Sequence, residues 1–496
     1  MIGPQAPGTP AGSPGALPIA AVLDALLDAL RGHRRAVLQA PPGSGKTTLV
    51  PPALMASGLC DRGEVLVLQP RRVAARTVAR RIAASLGEAV GGRVGYQVRF
   101  DTCVSRETRI RVVTEGILTA WLQRDPELRG VAAVVLDEFH ERSLHADLAL
   151  ALVREVQEAL RDDLLLVVMS ATLDAEPVAR YLGGCPVLRS DGRLHPVAIS
   201  HLPRPATGPL ADTVAAGVLA TVDAAPSGDV LVFLPGVREI EAARTALAAR
   251  LEARGWDAAV LHGRLDAAAQ DAALDPGPRP RVILATNLAE TSLTIAGVAA
   301  VVDSGLVKVM RFEPGLGTGR LATERVSRAS ADQRAGRAGR LGPGRALRLW
   351  TAIEERTQAA FDEPEIRRLD LAAMVLDLRA WGVADPTTFP FFEPPEPERL
   401  AAAEATLRLI GALEPQSGRV TPLGERLRAV PTDPRVAAFL LSALDAGLGA
   451  EASLWAALLE LGAAAGDGDL AARAREAARA RGGPVQRLAD IEGTHP

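Results

Sequence analysis

The 496-residue sequence predicts an α/β fold: two tandem parallel-sheet domains followed by smaller helical domains. Three observations lead there. Short apolar runs of strand length recur along the chain, each ending at a polar cluster and separated from the next by helix-length segments rich in Ala, Leu and Arg. The series begins a second time after a turn-rich stretch near residue 190. Past Trp350 it stops, and apolar residues recur at helical spacing instead. Unbroken Val/Leu/Ile runs are the pattern of parallel strands covered on both faces. In such sheets ligands bind beyond the carboxyl ends of the strands.

In chain order, residues 1–17 are rich in Gly, Pro and Ser and read as a disordered leader without the charged start and apolar core of a signal peptide. The first domain, 18–190, then holds five runs. Ala36–Gln39 precedes a glycine-rich loop, Glu64–Leu68 precedes Gln69-Pro-Arg-Arg72, and Ile110–Val113 precedes Thr114-Glu-Gly116. Val131–Leu136 precedes Asp137-Glu-Phe-His140, and Leu164–Met169 precedes Ser170-Ala-Thr172. Ser190-Asp-Gly-Arg193, Pro196 and the stretch Leu202–Pro209 read as a linker. A second domain, 191–349, holds the runs Asp229–Phe233, Ala258–Leu261, Arg281–Leu284 and Val298–Val302. It has no second glycine loop with lysine, so one nucleotide is expected, bound by the first domain and closed over by the second. Ile366–Trp381 and Glu398–Leu413 follow with helical periodicity, separated by the Pro-rich Phe391–Pro397.

Composition narrows the classes. A net charge of −3 argues against a protein that grips nucleic acid by bulk charge, so any such grip is local. Cys60, Cys103 and Cys185 lie far apart with no C-x-x-C pair, which excludes a zinc ribbon or disulfide scaffold and fits a reducing compartment. No apolar stretch reaches transmembrane length, and the expected location is the cytoplasm.

Only two of the 56 basic residues are lysines. One of them, Lys46, lies in Ala40-Pro-Pro-Gly-Ser-Gly-Lys-Thr47, directly after the first strand run. A glycine-rich loop opening a helix points backbone N–H groups at a phosphate chain, and a compact ammonium on a flexible stem reaches the β- and γ-phosphates. The first position of the usual G-x-x-x-x-G-K-[ST] pattern is Ala40 here. Asp137-Glu138, at the tip of a buried strand, supplies one carboxylate for a magnesium ion and a second to activate water. His140 is expected to take no direct part in the chemistry, and to contact the second domain. In Gln333-Arg-Ala-Gly-Arg-Ala-Gly-Arg340 the arginines recur every three residues, so Arg337 and Arg340 can share a helix face and reach one anion. The same spacing also suits a solvated helix face.

Together these segments, with Ala285-Thr-Asn-Leu-Ala-Glu-Thr-Ser-Leu-Thr-Ile295, resemble the ordered motifs of superfamily 2 helicases of the DEAH-box class. Asp137-Glu-Phe-His-Glu-Arg-Ser-Leu144 and Leu261-His-Gly-Arg-Leu265 are most similar to the bacterial HrpB-type branch, with Phe139 departing from literal DEAH. The resemblance implies two RecA-like domains, a winged-helix-like domain at 350–399 and a partial helical ratchet-like domain at 400–480, with 481–496 as a disordered tail. It implies ATP bound by Ala40, Pro41, Pro42, Gly43, Ser44, Gly45, Lys46, Thr47 and Thr48, and Mg2+ at Thr47 and Asp137. Glu138 would be the catalytic base, Gln333 would position water, and Arg337 and Arg340 would sense the γ-phosphate. His140, Ser170 and Thr172 would couple hydrolysis to domain movement. Arg71, Arg72, Thr114, Gly116, Thr291 and Thr294 would line the track of a single-stranded nucleic acid, RNA in preference to DNA. The implied activity is ATP-dependent helicase or translocase action in the 3′ to 5′ direction, by a monomer and away from membranes.

The residues by themselves support the track through five arginines between Arg71 and Arg81, in a chain that is otherwise slightly acidic. Such a cluster can pair with phosphates regardless of sequence; it also suits a solvated helix. With aromatics at 3% of the chain, backbone tracking fits better than base stacking. Lys308 suits either a phosphate contact or a surface salt bridge. Compared with the family the chain reads as short at its carboxyl end, which leaves open an ATP-gated clamp that does not unwind. A P-loop ATPase that remodels protein is a third reading, disfavoured by residues 285–295 and 333–340.

Overall fold

A computed structural model describes residues 17–99, 101–172, 174–190, 195–224, 228–290, 295–313, 318–430 and 432–460. The expected leader, apart from Leu17, and the chain after residue 460 lie outside them.

The first series of apolar runs forms one eight-stranded sheet. Its strands are β1 (Arg35–Gln39), β2 (Glu64–Gln69), β3 (Val94–Val98), β4 (Asp101–Cys103), β5 (Ile110–Thr114), β6 (Val131–Leu136), β7 (Leu165–Ser170) and β8 (Val187–Arg189). They are ordered β4-β3-β5-β2-β6-β7-β1-β8. All pair in parallel except β4, which runs antiparallel to β3. The five strands the apolar runs predict are five contiguous interior ones. Of the three they miss, β4 and β8 are the two edges, where a strand needs no unbroken apolar run, and β3 lies between β4 and β5 with Val94, Tyr96 and Val98 alternating with Gly95 and Gln97. Both faces of the interior strands are covered. Leu38, Val65, Val67, Val112, Val135 and Val167 pack with Leu26 and Leu30 of helix Leu23–His33, Val50 and Leu54 of helix Lys46–Ala56 and Ile82 of helix Arg72–Ser85. Their alternating neighbours Val37, Leu66, Val134 and Val168 are buried on the opposite face.

The four runs of the second series are β10 (Asp229–Phe233), β11 (Asp257–Leu261), β12 (Arg281–Ala285) and β13 (Val298–Asp303), which form a six-stranded parallel sheet with two strands the runs do not mark, β9 (Val197–His201) and, after a two-stranded unit of β14 (Leu306–Glu313) and β15 (Thr318–Arg325), β16 (Gly344–Arg348). The order is β11-β12-β10-β13-β16-β9. Here the sequence reading needs correction: β9 lies inside the stretch read as linker and pairs residue for residue with β16. Its Ala198, Ile199 and Ser200 are exposed, as suits an edge, so no apolar run marks it. One face of this sheet packs under helices Leu210–Asp223 and Val237–Glu252 through Val214, Val218, Ile240 and Leu247. The other, with Leu231, Phe233, Ile283 and Val301, packs under Leu288, Ile295, Ala335 and Ala338. That second face therefore carries the turn after β12 and the arginine-rich segment after residue 328.

By internal contacts the chain divides into two compact units, one of 1–309 with 322–364 and one of 310–321 with 365–496. Both sheets belong to the first. In the second unit the region predicted as one helix, 366–381, is two, Glu365–Arg368 and Ala372–Trp381, parted where Asp370 Oδ1 accepts the Ala372 N–H at 2.6 Å. Helices Pro397–Leu409, Pro422–Ala429, Pro434–Asp445 and Gly449–Glu460 follow. Leu413 and Val420 form an isolated antiparallel bridge between the first two of these four.

Candidate active site

The loop after β1 turns sharply because Gly43 and Gly45 adopt φ of +81° and +93°, a left-handed conformation costly for any residue with a Cβ. At Gly45 a Cβ would also lie 2.7 Å from Leu17 Cδ1, since the segment entering the domain crosses the loop and the Ile19 N–H donates to Ser44 O at 3.1 Å. Helix Lys46–Ala56 starts immediately after, so its N-terminal partial positive charge and the Lys46 ammonium converge where the loop is open.

Asp137 and Glu138 reach this loop from the end of β6. Asp137 Oδ2 accepts from Thr47 Oγ1 at 2.6 Å and from Gln69 Nε2, at the end of β2, at 2.7 Å. Lys46 Nζ lies 3.3 Å from Glu138 Oε2, with both side chains buried. Glu138 sits at φ +53°, a strained left-handed position for a non-glycine residue that aims its carboxylate back at the loop. The two neighbouring carboxylates differ in environment. Burial, with the Glu138 charge alongside, pushes Asp137 up to about 6. Burial also raises Glu138, but the charges of Lys46 and His140 outweigh it and hold that group below the usual carboxylate range. The Ala171 N–H donates to His140 Nδ1 at 3.4 Å, so His140 touches the Ser170–Thr172 segment of its own domain. Burial lowers its basicity and outweighs the pull of Glu138.

The second sheet supplies the opposite wall. Helix Arg328–Gly336 and the short turn Arg337–Gly339 carry Gln333, Arg337 and Arg340. Gln333 Nε2 donates to Thr172 Oγ1 across the domains at 3.1 Å, and Ser170 closes β7 beside it, fully buried. Arg337 Nε donates to the Glu290 carbonyl at 2.8 Å. Arg340 lies over the glycine loop, its Nε 4.0 Å from where a Gly43 Cβ would stand. Burial lowers both arginines, helped at Arg337 by Arg340, yet Arg340 stays near 10 and cationic at neutral pH. A lysine, a helix N-terminus and two arginines thus surround a space edged by two carboxylates. That set suits a phosphate chain with a hard cation.

Of the remaining predicted residues, those the structure describes lie on the first domain, with Lys308 on the second. Thr114 occupies the N-cap position of helix Glu115–Arg124 at the tip of β5 without a side-chain cap bond, and Gly116, in the first turn of that helix, faces His145 of helix Leu144–Ala159. Arg72 is less basic than usual through burial and through Arg99 and Arg76 nearby, which marks a concentration of cations at the start of helix Arg72–Ser85. Arg71 instead spans to Glu141 and Asn287. Lys308 forms the salt bridge of its two readings, 2.9 Å from Glu239 Oε2. Thr291 and Thr294 lie outside the described residues.

Sequence reasoning passed over four residues that hold the site together. Gln69 stood in the quoted cluster at the tip of β2, without a role. Glu290 stood within the quoted segment 285–295; its carboxylate accepts from Ser330 Oγ at 2.6 Å and Arg334 Nε at 2.8 Å. Arg334, first of the three spaced arginines, also pairs with Asp303 at 3.0 Å and lies over the Phe233 ring, inside the domain and away from the cleft. Arg142 pairs with Asp147, both buried, behind the Asp137–His140 turn.

Residues 20–181 match the DEAD/DEAH box helicase family and residues 214–342 the helicase conserved C-terminal domain. The chain is 44% identical over 441 residues to the ATP-dependent RNA helicase HrpB of Escherichia coli, covering 88% of this chain and 54% of that protein. It is 38% identical over 425 residues to human ATP-dependent RNA helicase DHX33, covering 83% and 60%. The crystal structure of Escherichia coli DEAH/RHA helicase HrpB superposes with a TM-score of 0.87 over 96% of this chain and 60% of that one. The chain thus spans little more than half the length of these relatives. Its two parallel sheets are RecA-like domains, followed by winged-helix and helical domains as in that structure. The chain belongs to the DEAD/DEAH box helicase family.

Proposed function

We propose that the protein is an ATP-dependent nucleic-acid helicase or translocase that hydrolyses ATP between its two RecA-like domains and acts on RNA in the 3′ to 5′ direction. The observation that carries this reading is the meeting, around one space, of Lys46, Thr47, Asp137 and Glu138 from the first sheet with Gln333, Arg337 and Arg340 from the second. The names of the similar proteins, both ATP-dependent RNA helicases, support RNA as the substrate.

In this reading residues 40–48 cradle the triphosphate and Lys46 leaves Glu138 for the β- and γ-phosphates. Glu138 then accepts the proton of an attacking water that Gln333 helps to position. Arg337 and Arg340 stabilise the charge that develops on the transferred phosphoryl group. The Thr47 hydroxyl and Asp137 carboxylate, hard oxygen donors already 2.6 Å apart, fit Mg2+, which takes few protein ligands beside phosphate and water. Mg2+ bound there would neutralise phosphate charge. The link from Gln333 to Thr172, with Ser170 and His140 next to it, passes the state of the site to the domain interface. Arg72, Thr114 and Gly116, with Thr291 and Thr294, would face the nucleic-acid backbone. We take the domain limits as 18–190 and 191–349, a division that the two separate sheets support. We take the protein to act as a monomer in the cytoplasm, consistent with three unpaired cysteines.

The test is ATP hydrolysis with and without single-stranded RNA or DNA, followed by displacement of a duplex bearing a 3′ overhang. Stimulation with displacement is expected. An ATPase rate indifferent to single strands would sink the translocase reading, and stimulation without displacement would select a clamp.

A further inference from the structure

Arg71 stands at the N-cap position of helix Arg72–Ser85, and its guanidinium is shared between the two RecA-like domains. Nη2 donates to Glu141 Oε2 at 3.0 Å and Nη1 to the Asn287 carbonyl at 2.6 Å. Glu141 is one hydrogen bond, and Asn287 two, from a group in the proposed reaction. On the first domain the Glu141 N–H donates to the Glu138 carbonyl at 2.9 Å, closing the turn that holds Glu138 in its left-handed conformation. On the second, the Asn287 carbonyl also accepts the Glu290 N–H at 3.1 Å, and the Glu290 carbonyl seats Arg337 Nε at 2.8 Å.

We propose that Arg71 is a positioning residue that sets the register of Arg337 against Glu138 by clamping the two turns that hold them. The inference rests on the proposed ATPase reading and adds to it a residue whose place in the sequence pointed to nucleic acid. A planar fork with two N–H groups meets a carboxylate and a carbonyl in fixed geometry, whereas an ammonium is a point charge that cannot impose it. A displacement of about 1 Å at a reacting centre can cost on the order of a hundredfold in rate. Loss of the clamp therefore appears in turnover.

The test compares wild type, Arg71→Gln, Arg71→Lys, Glu141→Gln and the Arg71→Gln/Glu141→Gln double variant. For each, kcat and KM for ATP are measured with and without polyuridine, and polyuridine affinity across a salt series. The two Gln single variants should each lose about tenfold or more in kcat, and the double variant no more than the worse single, because one clamp has been opened in both. Arg71→Lys, which keeps the charge and is the milder change for folding, should be impaired in the same sense. Polyuridine affinity and its salt slope should match wild type. Multiplying losses would overturn the proposal. So would unchanged kcat with weaker polyuridine binding and a salt slope lower by about one, the sign of a phosphate contact. If polyuridine fails to stimulate wild type, the translocase reading falls, while kcat without polyuridine still tests the clamp.

Discussion

Lys46 and Glu138 face each other as a buried ion pair, Nζ 3.3 Å from Oε2. In the proposed reaction each leaves the other once a triphosphate enters, and until then the pair is enclosed by the protein. Breaking a buried pair from one side costs about 3–5 kcal/mol because the other charge is left uncompensated. Lys46→Ala should therefore lower the urea midpoint as well as weaken nucleotide binding, and adding Glu138→Gln should restore part of the stability but none of the binding. If the double variant were no more stable than Lys46→Ala, the pair would not be the source of the loss.

Glu138→Gln alone should behave differently. The amide keeps the shape and loses the base, so ATP binding should survive while kcat drops by roughly 10²- to 10⁴-fold, the usual span for general-base removal. Nucleotide titration and steady-state hydrolysis on one preparation check this. Turnover equal to wild type would refute the assignment.

Behind that turn, Arg142 Nε and Nη2 grip Asp147 at 2.9 and 3.1 Å, with both side chains almost fully enclosed and the guanidinium over the Phe139 ring. Arg142 and Glu138 both adopt left-handed backbone angles, so the turn between them is held from the side. Arg142→Met leaves Asp147 buried without its cation, and should cost about 3–5 kcal/mol in urea unfolding. Arg142→Met with Asp147→Leu should recover most of that stability. An equal loss in single and double variants would show that the packing, not the charge, matters.

The parts of this fold legible in the sequence were those where burial acts on consecutive residues. Interior strands such as Val131–Leu136 are covered on both faces, so every position is apolar and the run is visible. β9 and β4 border the sheets with exposed or short segments, and nothing local distinguishes them from turns. The site divides the same way. The placement of Lys46, Asp137 and Glu138 is readable because a loop–helix junction or a strand tip sets it within a few neighbours. The roles of Arg71, Glu290 and Arg334 depend on partners far away in sequence. Arginine spacing alone could not tell Arg334, neutralised inside the second domain by Glu290 and Asp303, from Arg337 and Arg340 at the cleft.

Gly344 opens β16 hard against the turn that carries Arg337. A Cβ there would come within 2.3 Å of the Ala338 carbonyl oxygen and 2.5 Å of its carbon, and a backbone cannot swing aside as a side-chain tip can. Gly344→Ala should push the Arg337–Gly339 turn off the sheet, lowering kcat more than it alters nucleotide affinity and destabilising the second domain by about 1–3 kcal/mol. Hydrolysis kinetics and urea unfolding check it. Wild-type kcat would mean the turn tolerates the shift.

The three cysteines give a prediction with a pH axis. Burial pushes the Cys60 thiol up to about 11, more strongly than the Arg109 charge can lower it, and burial does the same at Cys185 against Arg35. Cys103 is partly exposed at the end of β4. The thiolate is the reactive form, so a thiol reagent at pH 8 should label Cys103 rapidly in the native protein, and all three only after unfolding. The sign of the stability effect follows from the same shift. A raised folded-state pKa means that the unfolded chain gives up its thiol proton first. The contribution of Cys60 and Cys185 is therefore intact below the ordinary thiol range and is lost as pH rises through about 9 towards about 11. Urea unfolding of wild type across that window should show a decline that Cys60→Ala/Cys185→Ala flattens, after allowance for the stability the substitutions themselves remove. Rapid labelling of three thiols in the native state would overturn both halves of the argument.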